Sequence, residues 1–156
     1  MVAYSFQKMF APQVEGLTKL QTVRANRKRH ARPGDAVQLY TAMRTKYCRK
    51  LVTPDPICTH LDDIRLEIGE VPIPDGQAGY IDAIEINGRA LAADDIEAFA
   101  VADGFKPVRL GRMLLKRDEV FQDWVSARLL MGEFWKSAHG LGAWQGIAIH
   151  WKPEPR

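Results

Sequence analysis

Apolar and polar residues alternate along most of the first ninety positions, which is the pattern of short, half-buried strands. Met1 to Met9 reads as a first strand, with Tyr4 and Phe6 set against Ala3 and Ser5. Ala11 to Gly16 reads as a short helical turn, with Gly16 as a left-handed stop. Leu20 to Arg24 is extended. Arg27 to Arg32 is too charged for a core and is expected as an exposed loop. Pro33-Gly34-Asp35 is a turn signature ahead of the strand-like run 36–41, and Thr45 to Val52 reads as extended in the same way. A strand over Ile57 to Ile68 follows Pro54 and Pro56. Val71 to Gly79, rich in Pro, Asp and Gly, reads as a loop before a strand over Tyr80 to Ile86 and an Asn87-Gly88 turn.

Helical spacing appears late. Asp94 and Asp95 can cap a helix with Ile96, Phe99 and Ala100 on one face, ending near Gly104. Asp118 can cap a longer one carrying Phe121, Trp124, Val125 and Leu129, closed by Gly140 and Gly142. The tail alternates Ile147, Ile149 and Trp151 with smaller residues, as a closing strand would. Many short strands with two or three flanking helices predict an α+β fold, a small β-barrel with paired edges, as one domain over residues 1–156.

Composition is that of a globular chain, and no apolar run is long enough to span a membrane as a helix. The N-terminus has neither the apolar core of a secretory signal nor a transit-peptide bias, so a cytoplasmic location is expected. Cys48 and Cys58 make no disulfide framework and are expected reduced. The four histidines (His30, His60, His139, His150) lack metal-ligand spacing, so neither a metal nor a cofactor is expected.

Charge changes the picture more. The net charge is only +3, yet residues 19–50 hold ten cations against Asp35 alone, so this segment carries +9 and the rest of the chain −6. Arg24, Arg27, Lys28, Arg29, Arg32, Arg44 and Lys46 are interleaved with Tyr40, Thr41, Thr45 and Tyr47. Cations interleaved with aromatic and hydroxyl groups are what a surface for RNA or a nucleotide requires. A solvated basic loop would carry the same composition.

Two further groups could do chemistry. In Lys19-x-x-Thr22-x-Arg24 a hydroxyl lies between two cations, which suits a nucleophile, an anion clamp, or simply an exposed strand edge. Asp103 falls either in the last turn of a helix, where it opposes the dipole unless a cation pairs with it, or in a solvated loop. His30 could contact phosphate, and Trp135 and Trp151 are expected to pack the core. No phosphate-binding glycine loop, nucleophile elbow or His-Glu-x-x-His is present.

Three pieces in order resemble the ASCH domain family. Gly16-Leu17-Thr18-Lys19-Leu20-Gln21-Thr22-Val23-Arg24 is similar to the family's Gly-x-Lys-x-x-Thr-x-Arg signature, with one extra residue after Gly16. Pro33-Gly34-Asp35 with the strand after it resembles the family's Gly-Asp turn, and Ala102-Asp103-Gly104-Phe105 resembles its Glu-Gly-Phe. Gly146 to Trp151 looks like the last strand of phage-associated members. The resemblance implies a PUA-like β-barrel (the ASCH fold) associated with RNA or a modified nucleoside. Some bacterial members are amidohydrolases that deacetylate acetylcytidine. Carried over by motif, Lys19 would activate, Thr22 would attack the amide carbonyl, Asp103 would pass the proton to the leaving amine, and Arg24 would position substrate or steady the oxyanion. Those enzymes have Glu where this chain has Asp103, one methylene shorter. A ribonuclease and a protein-interaction module are the remaining alternatives.

Overall fold

The computed structural model describes residues 2–74, 76–109 and 124–155. Along them run β1 (Val2–Phe6), α1 (Ala11–Glu15), β2 (Gln21–Arg24), β3 (Val37–Thr41), β4 (Arg49–Lys50), β5 (Ile57–Ile73) and β6 (Gly76–Ile86). There follow β7 (Arg89–Ala90), α2 (Ala93–Ala102), β8 (Val108–Arg109), β9 (Trp124–Val125), α3 (Ala127–His139) and β10 (Gly142–Lys152). The fold is α+β and mostly strand. Its sheets have the orders β1-β3-β4, β2-β10-β5-β6-β7 and β8-β9, and among the described residues no pairing closes them into a barrel. The chain divides into two compact units.

The first unit comprises Met1–Ile64, Ala102–Gly104 and Gln145–Arg156. β1 alternates as its sequence requires: Val2, Tyr4 and Phe6 are buried and Ala3 and Ser5 are not. It runs parallel to β3 with Tyr4 beside Leu39. Val14, Val37, Leu39, Cys58 and Ile149 fill the core, and Trp151 meets Phe6 edge-on at 6.0 Å. The Pro33–Asp35 turn forms as expected. Gly34 takes φ +93° and Asp35 accepts the Arg32 amide at 2.9 Å.

Two local expectations in this unit are corrected. Gly16 does not stop α1 in a left-handed conformation: its φ is −80°, and Leu17 takes the positive φ of 57°. Thr45 to Val52 is not one strand. Ala42 and Arg44 have positive φ, the Thr45 hydroxyl donates to Ala42 O at 2.7 Å, and only Arg49 and Lys50 pair with β3. A side chain satisfying nearby backbone offers the chain a turn in place of a ladder.

The second unit comprises Arg65–Val101 and Phe105–Trp144. Residues 71–79 are not one loop: β5 continues to Ile73 and β6 begins at Gly76. Ladder bonds extend a hairpin beyond the point where an apolar face ends. α2 has Asp94 and Asp95 in its first turn and buries Ile96 and Ala100.

α3 starts later than its periodicity implies, because Trp124 and Val125 lie in β9; Asp118 and Phe121 fall outside the described residues. Ser126 is the N-cap, accepting from Leu129 N–H at 3.1 Å, and the Glu97 carboxylate accepts from Ala127 N–H and Arg128 N–H at 2.7 and 2.9 Å. A carboxylate there satisfies amides that the helix cannot and favours the dipole. α3 packs on β6 through two glycines: a Cβ on Gly132 would lie 2.3 Å from Tyr80 Cα, and one on Gly79 would lie 2.5 Å from Gly132 O.

Candidate functional site

Lys19 and Asp103, distant in sequence, form a buried ion pair in the first unit. Lys19 Nζ lies 3.1 Å from Asp103 Oδ1, with side-chain exposures of 3% and 7%, and also donates to the Asp103 backbone carbonyl. Neither the exposed strand edge nor the solvated loop describes these residues. The backbone is built to bring them together. Gln13 O accepts both Thr18 N–H and Lys19 N–H, at 2.9 and 3.0 Å, while Gln13 Nε2 donates to Gly104 O at 2.8 Å. One glutamine in the middle of α1 thus ties the segment before β2 to the segment after α2. Gly104 has φ +105°, and a Cβ there would lie 2.8 Å from Phe10 Cδ1 and 3.1 Å from Lys19 Cδ. The Asp-Gly pair follows from that close approach.

Burial dominates the electrostatics. Desolvation lowers the Lys19 pKa below its ordinary value, against the opposing pull of Asp103. Desolvation likewise raises the Asp103 carboxyl, against the attraction of Lys19 and a weaker, poorly aligned bond from the buried Gln21 amide. An ammonium held this way yields its proton more readily than one in water.

Thr22 is buried on β2 opposite Ile149, and its Oγ1 accepts from Arg24 Nε at 3.1 Å. Arg24 also donates to Ser5 O at 2.6 Å, and its Cζ lies 5.1 Å from the Phe6 ring centroid. Desolvation, then the nearby Arg27 charge, lower the Arg24 pKa. A hydroxyl that accepts from a guanidinium keeps its own proton free, and the guanidinium would stabilise the oxyanion left on losing it.

The basic segment surrounds this constellation unevenly. Arg27, Lys28, Arg29 and Arg32 are exposed. Arg27 lies 4.8 Å over the Tyr4 ring and donates to Arg29 O at 2.8 Å. His30 stacks on Tyr4, bonds its hydroxyl at 3.2 Å, and meets Ala25 O at 3.0 Å. These contacts make it a brace of the loop. Arg44 and Lys46 sit apart in the exposed turn after β3, with Lys46 over the ring of Tyr47, which is 71% exposed. Tyr40 is half-buried on β3. Ser5 touches both groups, giving its carbonyl to Arg24 and its hydroxyl to Met43 N–H at 3.4 Å.

Asp35, the one acid of the segment, is engaged with the Arg32 backbone amide. Four cations elsewhere do meet a carboxylate: Arg49 with Glu15, Lys50 with Asp55, Arg65 with Glu67 and Lys136 with Glu70. Among the described residues no carboxylate pairs with Arg27, Lys28, Arg29, Arg32, Arg44 or Lys46.

Sequence reasoning missed Gln13 and Gln21. It also set the histidines aside as scattered, whereas the fold stacks His60 on His150, with ring centroids 4.1 Å apart, next to Asp62. The signal was present. His60 and Asp62 share one face of β5 with buried Cys58 and Ile64, where polar residues interrupt an apolar stripe. No protein-family model matches the chain, and comparisons with curated proteins and with solved structures return no match.

Proposed function

We propose that the chain is a PUA-like domain of the ASCH type that binds RNA or a nucleotide-like ligand, with the basic segment along its phosphates and the Lys19–Asp103 constellation as its specific end. The observation that carries this reading is the contrast among the cations. Arg49, Lys50, Arg65 and Lys136 each meet a carboxylate, whereas six cations clustered between positions 27 and 46 have none among the described residues. Unpaired cations repel one another, and an anionic partner relieves that cost while releasing counterions. Arg guanidinium planes and the exposed Tyr47 ring add surfaces for stacking. The test is affinity for a single-stranded RNA oligonucleotide across a salt series. Binding that weakens steeply with salt, and weakens again when Arg27, Lys28 and Arg29 become Gln, supports the reading. Affinity flat in salt removes it.

A second reading, the acetylcytidine-type amidohydrolase, is favoured by the buried pair itself. Strongly perturbed, mutually paired ionisable groups cluster at active sites, because burying charges otherwise gains little stability. In this reading Thr22 Oγ1 attacks the acetyl carbonyl and neutral Lys19 takes its proton. Asp103 relays a proton to the departing amine, Arg24 steadies the oxyanion, and a water then hydrolyses the acetyl ester on Thr22, releasing acetate and restoring the hydroxyl. The shorter aspartate still reaches Lys19, at 3.1 Å. Purified protein incubated with acetylcytidine should produce cytidine, and Thr22→Ala should abolish turnover with the melting transition intact. A folded wild-type protein without turnover rejects catalysis and leaves binding standing.

A further inference from the structure

Outside the Lys19–Asp103 constellation, one cluster in the first unit gathers side chains of metal-binding chemistry: His60 and Asp62 on β5 and His150 on β10. His60 and Asp62 are two apart on one strand and so project to the same side, and β10 is the neighbouring strand. The Asp62 Oδ2 atom lies 3.0 Å from His150 Nε2 and 3.6 Å from His60 Nε2, and one ligand atom from each of the three residues falls within 4.8 Å of the others.

We propose that His60, Asp62 and His150 bind a divalent first-row transition metal ion of the zinc class, with at least one coordination position left open.

The distances fit such an ion. Bonds of roughly 2.0–2.1 Å in tetrahedral geometry separate ligand atoms by about 3.3 Å. The two carboxylate–imidazole separations straddle that value, and the two imidazoles, stacked within 6° of parallel, would turn toward each other so that both lone pairs meet the ion. Two imidazoles and a carboxylate make a three-ligand set that keeps an open site, in contrast to the four-ligand closed sites of structural zinc. The surroundings support it. Thr59 Oγ1 lies 3.0 Å from His60 Nδ1; with Nδ1–H donating to it, the ring is fixed and Nε2 carries the lone pair toward Asp62. Among the described residues the buried His150 Nε2 atom meets the Asp62 carboxylate but no well-aligned hydrogen-bond partner. His150 is the register partner of Gln21, whose amide reaches toward Asp103, so the metal site adjoins the constellation already described.

The test uses the full chain, stripped of metal with a chelator. Calorimetric titration with Zn2+ should give one equivalent bound, and Co2+ should develop the visible absorption of a low-symmetry nitrogen and oxygen site. Asp62→Asn and His60→Gln should each weaken binding by roughly 100-fold or more, beyond the loss typical of an outer-shell change. His60 is more than half exposed, so its replacement keeps the fold even if the Asp62 or His150 variant does not. His139→Gln should bind as the parent does. Absence of Zn2+ binding, affinity unchanged in the folded His60→Gln variant, or loss produced instead by Cys48→Ser would each overturn the proposal.

Discussion

Breaking the Lys19–Asp103 pair from either side should destabilise the protein, with opposite dependences on pH. Both side chains are almost fully buried, so removing one leaves the other as an uncompensated charge, which costs about 3–5 kcal/mol in comparable pairs. For a chain of this length that is a fall of roughly 6–20 °C in melting temperature. Replacing both with apolar residues, Lys19→Met with Asp103→Leu, removes the desolvation cost along with the attraction. The double variant should therefore be much less destabilised than the two single losses added together.

The pH slopes identify the mechanism. In Asp103→Asn, burial already lowers the Lys19 pKa and its main counter-charge is gone. The unfolded chain then holds that proton at pH values where the folded chain does not. Stability rises with pH across the window between the depressed folded pKa and 10.5, the ordinary lysine value. In Lys19→Met, burial already raises the Asp103 pKa and its main cation is gone. The folded chain holds its proton longer than the unfolded one, so stability is greatest in acid and falls as pH climbs from 3.8 through the raised folded pKa. Urea unfolding followed by tryptophan fluorescence at acid, neutral and alkaline pH reads both slopes. Single variants that each cost under about 1 kcal/mol and simply add in the double variant would refute a coupled buried pair.

Further outcomes follow from the same structure. Replacing Arg27, Lys28 and Arg29 with Gln should reduce the slope of log affinity against log salt for single-stranded RNA by about 2, at roughly 0.7 for each phosphate that is no longer neutralised. Thr22→Ala should remove any acetylcytidine turnover, measured by product chromatography, without shifting the melting curve by more than a few degrees. Gly132→Ala places a Cβ 2.3 Å from Tyr80 Cα, a backbone atom that cannot swing aside, and should cost at least the roughly 1–3 kcal/mol of overpacking. A thermal melt unchanged in that variant would show that α3 does not rest on β6 this closely.

Local pattern fixed what depends on neighbours in the chain. The alternation of β1, the Gly34 turn, the Asn87-Gly88 turn and the apolar face of α2 could all be read from spacing, because period and turn geometry are set within a few residues. Where side chains redirect the backbone, spacing misled. The Thr45 hydroxyl made a turn where a strand was expected, and Ser126 with Glu97 started α3 at Ala127, beyond Trp124 and Val125. The charge asymmetry of residues 19–50 was plain in composition. Which cations lack carboxylate partners was not, because Arg49 finds Glu15 and Lys50 finds Asp55 only once the chain is folded.

The sequence alone determined the residue types of the candidate site: a lysine, a threonine and an arginine at strand spacing, an aspartate before a glycine, and a run of cations. Only the tertiary structure decided that Lys19 and Asp103 are one buried pair held by Gln13, that Gly104 must be small to let them meet, and that His60, Asp62 and His150 converge. The reason is physical. Desolvation and ligand convergence depend on what surrounds a group in space, and contacts between residues more than eighty positions apart leave no periodic trace in the chain.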